Sequence, residues 1–176
     1  MSTAAAPDAA PNAAPHAPVV LADLFDAHEA ELALLALPWR SFGGRASFAG
    51  PVETLACFED NTFVRALLEG PGDGRVLVVD GGGSLRCALL GDMLGELAVK
   101  NGWAGVVVHG AIRDAAVMRT LPLGVMALGT CPIKSEKRKT GRPGDAIRVG
   151  GVTLRPGMWL YADDDGVAVS ATRLEP

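Results

Sequence analysis

The sequence has 176 residues, a net charge of −4 and 49% hydrophobic residues, which is enough apolar material for one domain with its own core. The negative charge gives no general attraction for nucleic acid, and no apolar run approaches the roughly 18 to 20 residues that cross a bilayer. We therefore expect a soluble, cytoplasmic protein. Cys57, Cys87 and Cys131 are widely spaced and odd in number, which suits a reducing compartment, and we interpret each as a small buried hydrophobic residue.

The amino-terminal part of the chain changes character near residue 18. Residues 1–18 are rich in Ala and Pro and nearly uncharged, so we expect a disordered tail followed by one domain over residues 19–176. Apolar residues then recur at helical spacing from Val20 to Leu35, which predicts an amphipathic helix that ends before Pro38. His28 lies near the apolar side of that helix, and we expect it to be packed and neutral.

The next segments alternate between strand and helix patterns. Residues 40–57 contain glycine pairs and short β-favouring pieces, as in bent strands of a partly antiparallel region. Asn61 or Thr62 can cap a helix that runs through Leu68, and residues 75–80 then form an apolar strand. This alternation predicts an α/β fold.

A glycine-rich segment, residues 81–84, follows the strand that ends at Asp80. It matches neither GxGxxG nor a phosphate-binding P-loop, so we do not expect nucleotide binding; its glycines allow close approach of the backbone. Arg86 lies in an otherwise apolar segment, and its charge needs a partner if that segment is buried. A salt bridge is the first interpretation, and contact with a dicarboxylate ligand is the alternative.

The stretch from Gly91 to Asp114 combines a helix, a strand and two loops. Asp92 precedes a helical pattern as a plausible N-cap, and Asn101-Gly102 ends it. Residues 105–109 form a short apolar run that predicts a buried strand, and residues 110–114 leave its carboxyl end. His109, at the end of that strand, is interpreted as packed and neutral, with a supporting role beside a site as the alternative.

Ligands of open α/β sheets gather beyond the carboxyl ends of strands, where helix N-termini offer free N–H groups to anions. Mg²⁺ prefers oxygen ligands and keeps several waters, so Asp114 and Asp92 would be sufficient protein ligands. Arg113 stays charged and can hold a carboxylate or enolate oxygen. An N-cap at Asp92 with an ordinary surface ion pair between Arg113 and Asp114 explains the same residues equally well, and spacing alone does not decide.

The carboxyl-terminal third begins with a predicted strand over residues 123–128 and a basic loop over residues 134–142. A solvated loop is the first interpretation of the charges; attraction of anionic substrates, or contact with RNA or protein, are the alternatives. Short β pieces separated by turns then predict a β-meander, over residues 145–149, 152–154, 159–162 and 167–170. The triple aspartate at residues 163–165 lacks the spacing of a calcium loop and predicts a turn.

Asp92 is followed by twenty residues and then by Arg113-Asp114, a D-x20-R-D spacing. This motif and its context resemble the RraA-like family, which includes aldolases acting on 4-hydroxy-4-methyl-2-oxoglutarate and 4-carboxy-4-hydroxy-2-oxoadipate. The resemblance extends over about residues 20 to 172, in family order, through the segments DGGGSLRCALLG, GDMLGELAVKNGWAGVVVHGAIRD, LGTCPIKSEKRKTG and GGVTLRPGMWLYADDDGVAVS. Three fixed residues alone are a weak signal. The specificity of the resemblance comes from these surrounding segments and their order.

The resemblance implies a fold, a cofactor and an assembly. The fold is an α/β, RraA-like swivelling β/β/α-type single domain with a mixed, partly barrel-like sheet and flanking helices. The cofactor is a divalent cation, Mg²⁺ or Mn²⁺, the substrate is a small pyruvyl or 2-oxo acid, and the assembly is a homotrimer. Longer members add a glutamate from a neighbouring subunit's C-terminal extension, and no residue of this sequence is assigned to that role.

The resemblance also implies residue roles. The main-chain amides of Gly91, Asp92, Met93 and Leu94 would hold the pyruvyl carboxylate, and Arg113 would contact the substrate. Asp114 would bind the metal directly, and Asp92 would reach it through water; Arg113 and Asp92 are thus the expected catalytic residues. Family members that regulate ribonuclease E can lack the final acid of the motif, so its presence favours the enzyme. A non-catalytic regulator that binds ribonuclease E or RNA is the alternative.

Overall fold

A computed structural model describes residues 18–175, so the tail predicted over residues 1–18 lies, except for Pro18, outside the described residues. The described chain is a mixed α/β domain, as expected. The helices are α1 (Leu21–His28), α2 (Thr62–Leu68), α3 (Asp92–Lys100) and α4 (Ala115–Met118). The strands are β1 (Ala33–Leu34), β2 (Arg40–Ser41), β3 (Phe48–Ala56), β4 (Val76–Asp80), β5 (Ala88–Leu90), β6 (Gly105–Ile112), β7 (Gly124–Thr130), β8 (Arg142–Pro143), β9 (Ile147–Val149), β10 (Val152–Leu154), β11 (Trp159–Asp163) and β12 (Gly166–Ser170).

Ten of these strands form one mixed sheet, in the order β1-β12-β11-β3-β4-β6-β7-β2, with β5 beside β6 and β8 beside β3. The central strands β3, β4, β6 and β7 are parallel, whereas β11, β12 and β1 extend the sheet in antiparallel pairs. Parallel neighbours need a crossover, and α2 and α4 lie on such connections, between β3 and β4 and between β6 and β7.

The central strands are buried on both faces. Successive side chains of a strand point to opposite faces, and on β4 Leu77 and Val79 pack in one apolar cluster while Val76 and Val78 pack in another. The first cluster is covered by α2, α3 and α4, and the second by β9 to β12. This double burial explains why β4 and β6 read as continuous apolar runs in the sequence.

The first helix is shorter than predicted. α1 ends at His28, and Ala33–Leu34 is a strand that pairs with Val169 and Ala168 of β12. The helix prediction over residues 29–35 is therefore wrong, because a distant strand offers main-chain hydrogen bonds that helical spacing does not reveal. His28 is partly buried, with 26% of its side chain exposed. Its Nδ1 lies 3.1 Å from Glu31 Oε1, and that hydrogen bond raises the pKa of His28, against the neutral form that was expected.

The boundaries around the central stretch also differ from the prediction. β6 continues to Ile112, three residues beyond the predicted strand, and β5 was not predicted as a strand. Gly91 rather than Asp92 occupies the N-cap of α3, and Asp92 is its first helical residue. The carboxyl-terminal strands are confirmed, and residues 164–165 form the tight turn between β11 and β12. The predicted meander is wrong, because β9 and β10 pair in a separate two-stranded sheet while β11 pairs with β3 and β12 in the large sheet.

The cysteines behave as small hydrophobic residues. Cys57, Cys87 and Cys131 are buried and free. Burial is the largest cause that raises the pKa of the Cys57 thiol, to about 12. Across residues 18–175, no helix has the length and apolar character needed to cross a membrane.

Candidate functional site

The two halves of the D-x20-R-D motif meet because β5 and β6 are parallel neighbours. Leu90 pairs with Ile112, so both strands end at the same edge of the sheet. The chain continues from Leu90 into Gly91 and α3, and from Ile112 into Arg113 and Asp114. The main-chain N–H of Arg113 donates to the carbonyl oxygen of Leu90 at 2.9 Å. Asp92, Arg113 and Asp114 are thereby brought together, as predicted.

Asp114 adopts an unusual backbone conformation. Its φ of 55° and ψ of 38° place it in the left-handed region, which Asp and Asn tolerate better than most residues. This turn redirects the chain from β6 into α4 and returns the Asp114 side chain towards α3. Oδ2 of Asp114 accepts a hydrogen bond from the N–H of Asp92 at 3.3 Å and lies 3.3 Å from Nε of Arg113.

Gly91 leaves the space that these side chains occupy. A Cβ at Gly91 would lie 2.9 Å from Asp114 Oδ2 and 3.1 Å from Arg113 Nε. Its φ of −136° is accessible to any residue, so close approach is the reason for glycine here. Both motif side chains therefore pack directly against the N-terminus of α3.

The helix N-terminus already holds carboxylate oxygens of the protein itself. The N–H of Met93 donates to Oδ1 of Asp92 at 2.7 Å, and the N–H of Asp92 donates to Asp114. Free N–H groups and the helix dipole favour anions at this position. A substrate carboxylate can bind the same amides only when these aspartate oxygens move away from them.

A cavity of about 160 Å³ opens beside this helix N-terminus. Gly91, Asp92, Met93, Leu94 and Arg113 line it, as the predicted site requires. Asp114 is not among the lining residues; it lies against Gly91 and is 35% exposed at its side chain. The cavity therefore brings the residues predicted to bind substrate, Arg113 included, into one space, with Asp114 at its margin.

Ala88 and Leu90 of β5 also line the cavity, and the remaining five residues come from two segments that the sequence did not assign to the site. Asn61 and Arg65 come from the start of α2, and Lys134, Ser135 and Lys137 come from the basic loop. Four cationic residues against one acidic residue, Asp92, give the lining an excess of positive charge. The run of basic residues in the loop had indicated a possible attraction of anionic substrates by Lys134 and Lys137, whereas nothing in the sequence indicated a role for Arg65.

The residues present fit a Mg²⁺ site in which the protein supplies only one or two of the ligands. Within residues 18–175, no group of three or more His, Cys, Asp or Glu residues could hold a metal ion. Asp114 and Asp92 are adjacent through a hydrogen bond, and one or two carboxylates are enough for a hard cation that keeps several waters. A structural site with four protein ligands does not fit this donor set.

The model of the RraA-like family, described as Aldolase/RraA, matches residues 21–169. The chain belongs to the RraA-like family. A relative from Burkholderia multivorans (strain ATCC 17616 / 249), named "Putative 4-hydroxy-4-methyl-2-oxoglutarate aldolase", is 59% identical over 157 residues, which cover 86% of this chain and 96% of the relative.

Two solved structures share the fold. The RNA-processing inhibitor RraA from Thermus thermophilis has a TM-score of 0.85 and 47% identity, over 89% of this chain and 95% of that chain. A protein from Geobacillus kaustophilus HTA426, described as S-adenosylmethionine: 2-dimethylmenaquinone methyltransferase, has a TM-score of 0.87 and 49% identity, over 89% and 97%. These names describe different activities, and a shared fold does not decide between them.

Two further residues of this RraA-like protein have partners outside the cavity. His109 Nδ1 lies 3.0 Å from Asp80 Oδ1, and this hydrogen bond is the largest cause that lowers the pKa of Asp80. Arg86 pairs with Glu59 at 2.6 Å, with 74% of its own side chain exposed. The predicted salt bridge of Arg86 is confirmed, and neither His109 nor Arg86 lines the cavity.

Proposed function

We propose that this protein is a divalent-metal-dependent class II aldolase. It cleaves 4-hydroxy-4-methyl-2-oxoglutarate, or a related 4-hydroxy-2-oxo acid, to pyruvate, with oxaloacetate decarboxylation as a side reaction. The observation that carries the proposal is the convergence of the α3 N-terminus, Arg113 and Asp114 at one cationic cavity. An anion-binding helix end, a fixed positive charge and metal-binding carboxylates are the groups that this chemistry needs.

Asp114 would bind Mg²⁺ or Mn²⁺ directly, and Asp92 would contact it through water. The bound ion would supply Lewis-acid polarisation of the 2-keto group of the substrate. Asp114 suits this role because its carboxylate is partly exposed and its hydrogen-bond donors leave room for further ligands. No lysine Schiff base is required.

The chain's own groups have separate roles in the cleavage. We assign the amides of Gly91, Asp92, Met93 and Leu94 to the pyruvyl carboxylate. Those of Asp92 and Met93 become available once the aspartate oxygens leave them, and that of Leu94 once its hydrogen bond to the Gly91 carbonyl oxygen, at 3.1 Å, opens. As the C3–C4 bond breaks, the C4 hydroxyl passes its proton to a base and becomes a carbonyl, and the electron pair of the broken bond moves towards the 2-keto oxygen to form an enolate. Protonation of C3 then gives pyruvate. Arg113 offsets the negative charge that develops there, because its guanidinium stays protonated throughout. Decarboxylation of oxaloacetate breaks the equivalent bond.

The charge of the cavity supports a substrate with two carboxylates. Arg65, Lys134 and Lys137 line it in addition to Arg113. One carboxylate of a 4-hydroxy-2-oxo diacid is assigned to the α3 amides, so the second would find cations on the wall formed by α2 and the basic loop. Local positive charge also attracts dianions despite the net charge of −4.

Pyruvate release tests the proposal. Purified protein is incubated with 4-hydroxy-4-methyl-2-oxoglutarate or oxaloacetate, with Mg²⁺ or Mn²⁺, and with an excess of EDTA as the control. We expect release that depends on metal and is strongly reduced in Asp114→Asn. No release above the EDTA control with either substrate would reject the aldolase and favour the second candidate.

The second candidate is a non-catalytic regulator that inhibits ribonuclease E. The Thermus thermophilis relative is described as an RNA-processing inhibitor, and Lys137, Arg138 and Lys139 are exposed on the basic loop. Lys137 also lines the cavity, so only Arg138 and Lys139 are neutralised; this should abolish binding to ribonuclease E or RNA while sparing lyase activity. Loss of lyase activity alone would instead assign the loop to substrate attraction.

A further inference from the structure

Asp60 is a fully buried carboxylate at the junction of α2 and the basic loop, with 0% exposure. Its Oδ1 accepts hydrogen bonds from the N–H and the hydroxyl of Thr62, at 2.9 and 2.6 Å. Its Oδ2 accepts from the N–H of Arg138 at 3.0 Å, and from the N–H and the hydroxyl of Thr140 at 2.9 and 3.1 Å. One oxygen thus holds the helix start and the other holds the loop.

These five donors replace water around a charge that has no cationic partner. Among residues 18–175, no ion pair involves Asp60. Burial alone raises the pKa of this carboxyl, but the hydrogen bonds from Thr62 and Thr140 outweigh it and hold the pKa below its usual range. Asp60 is therefore anionic at neutral pH, and a buried anion needs its donors in place.

The segments that Asp60 joins both line the cavity. Asn61 and Arg65 belong to the helix side, and Lys134 and Lys137 belong to the loop side. Upstream, the loop is held by the N–H of Asn61, which donates to Ser135 Oγ at 3.2 Å. Downstream, it turns through Lys139 at a φ of 58°, a left-handed conformation that needs support from its surroundings.

We propose that Asp60 is a positioning residue, which holds the loop of residues 134–140 against α2 so that Lys134 and Lys137 stay on the cavity wall and bind the second carboxylate of a diacid. This inference rests on the proposed function for its substrate class. Asp60 itself does not line the cavity. It acts through the loop, so its loss should affect recognition of the second carboxylate more than binding of the pyruvyl end.

Two ligands of equal chain length measure the contribution of the second carboxylate to binding. 2-Oxoglutarate has a second carboxylate and 2-oxopentanoate lacks it, and calorimetric titration with Mg²⁺ present measures both affinities without any cleavage. We expect the wild-type protein to prefer 2-oxoglutarate. Asp60→Asn should reduce that preference about tenfold, the size of one weakened charge-assisted hydrogen bond, with 2-oxopentanoate binding unchanged. Equal affinity of the wild-type protein for both ligands would overturn the proposal.

Thr140→Val and Thr62→Val form a matched pair. Each removes one hydroxyl donor to Asp60, the first on the loop side and the second on the helix side. Thr140→Val should lower the preference for 2-oxoglutarate and Thr62→Val should retain it, although both lower stability. Equal effects of the two would show a merely structural role and reject the proposal. The pair also decides the question if Asp60→Asn fails to fold.

Trypsin provides a readout that is independent of ligands. Lys134, Lys137, Arg138 and Lys139 are cleavage sites within the loop, and Asp60→Asn and Thr140→Val should be cut there faster than the wild-type protein or Thr62→Val. Unchanged cleavage of both loop-side variants would contradict the anchoring role. Pyruvate release is measured separately, so failure of the aldolase assay and failure of the Asp60 proposal are distinguishable.

Discussion

The main-chain N–H of Asp92 donates a hydrogen bond to Oδ2 of Asp114 at 3.3 Å, across 22 positions in the sequence. The bond joins the first residue of α3 to the residue that follows Arg113 at the end of β6. The same Oδ2 lies 3.3 Å from Arg113 Nε. The three motif residues are therefore one connected unit, and a change at one of them acts on the others.

Asp114→Asn tests the proposed role of Asp114 as a metal ligand. Asn keeps the shape and tolerates the left-handed backbone of Asp114, so the fold should survive while the ligand charge is lost. We expect weaker Mn²⁺ binding and partial return of activity at high Mn²⁺, because mass action compensates for lower affinity. Titration of Mn²⁺ binding and of activity measures both. Wild-type affinity in this variant would reject the assigned role.

Arg113→Lys tests the proposed role of Arg113 in binding the substrate anion. Lys keeps the charge but loses the planar fork of the guanidinium. A charge-assisted hydrogen bond is worth about 1.5–3 kcal/mol, so kcat/KM should fall roughly ten- to hundredfold. Steady-state kinetics at increasing Mn²⁺ provide the check. Rescue by excess metal would assign Arg113 to metal binding instead of the substrate.

Gly91→Ala tests the close approach of the motif side chains to α3. The added Cβ would meet Asp114 Oδ2 at 2.9 Å and Arg113 Nε at 3.1 Å, so both groups must shift. We expect at least a tenfold loss of kcat/KM, about 1.4 kcal/mol or more in barrier height. Gly129→Ala is the control, because its Cβ meets only Leu85 at 3.7 Å or beyond. Equal activity of the two variants would contradict the prediction.

The pH dependence of stability tests the anionic state of Asp60. Its pKa is lower in the folded protein than its usual 3.8, so the ionised carboxyl stabilises the fold above about pH 4, and this contribution is lost as pH falls through the folded pKa. Asp60→Asn lacks the titrating group. The free energy of unfolding, measured with urea from pH 7 to 3, should be higher for the wild-type protein, with a difference that shrinks below pH 4. A constant difference would refute the ionised form.

Assembly provides a further prediction. We propose a homotrimer, on the basis of the family resemblance, with a mass of about 54 kDa, three times the 18.1 kDa of the chain. Met93 on the cavity wall is 65% exposed and Ile133, next to Lys134, is 61% exposed; exposed apolar residues are typical of interaction surfaces. Multi-angle light scattering at the assay concentration measures the mass. A value near 18 kDa would contradict the prediction.

Local patterns in the sequence were sufficient for much of the fold. The helices at Thr62–Leu68 and Asp92–Lys100 and the strands β4 and β6 follow from periodicity and turn residues, because these signals act within one element. Ala33–Leu34 was predicted as helix because its apolar neighbours fit that spacing too. Its strand conformation depends on pairing with Val169 and Ala168, more than 130 residues away.

Part of the candidate site could also be predicted from the sequence, and part could not. The sequence by itself determined the motif of Asp92, Arg113 and Asp114, because its spacing is fixed along the chain. Only the tertiary structure decided that Arg65, Lys134 and Lys137 line the same cavity and that Asp60 joins their segments. The reason is that the hydrogen-bond donors around a buried carboxylate are set by distance in space and not by distance along the chain. Arg138, which donates to Asp60, lies 78 positions away in the sequence.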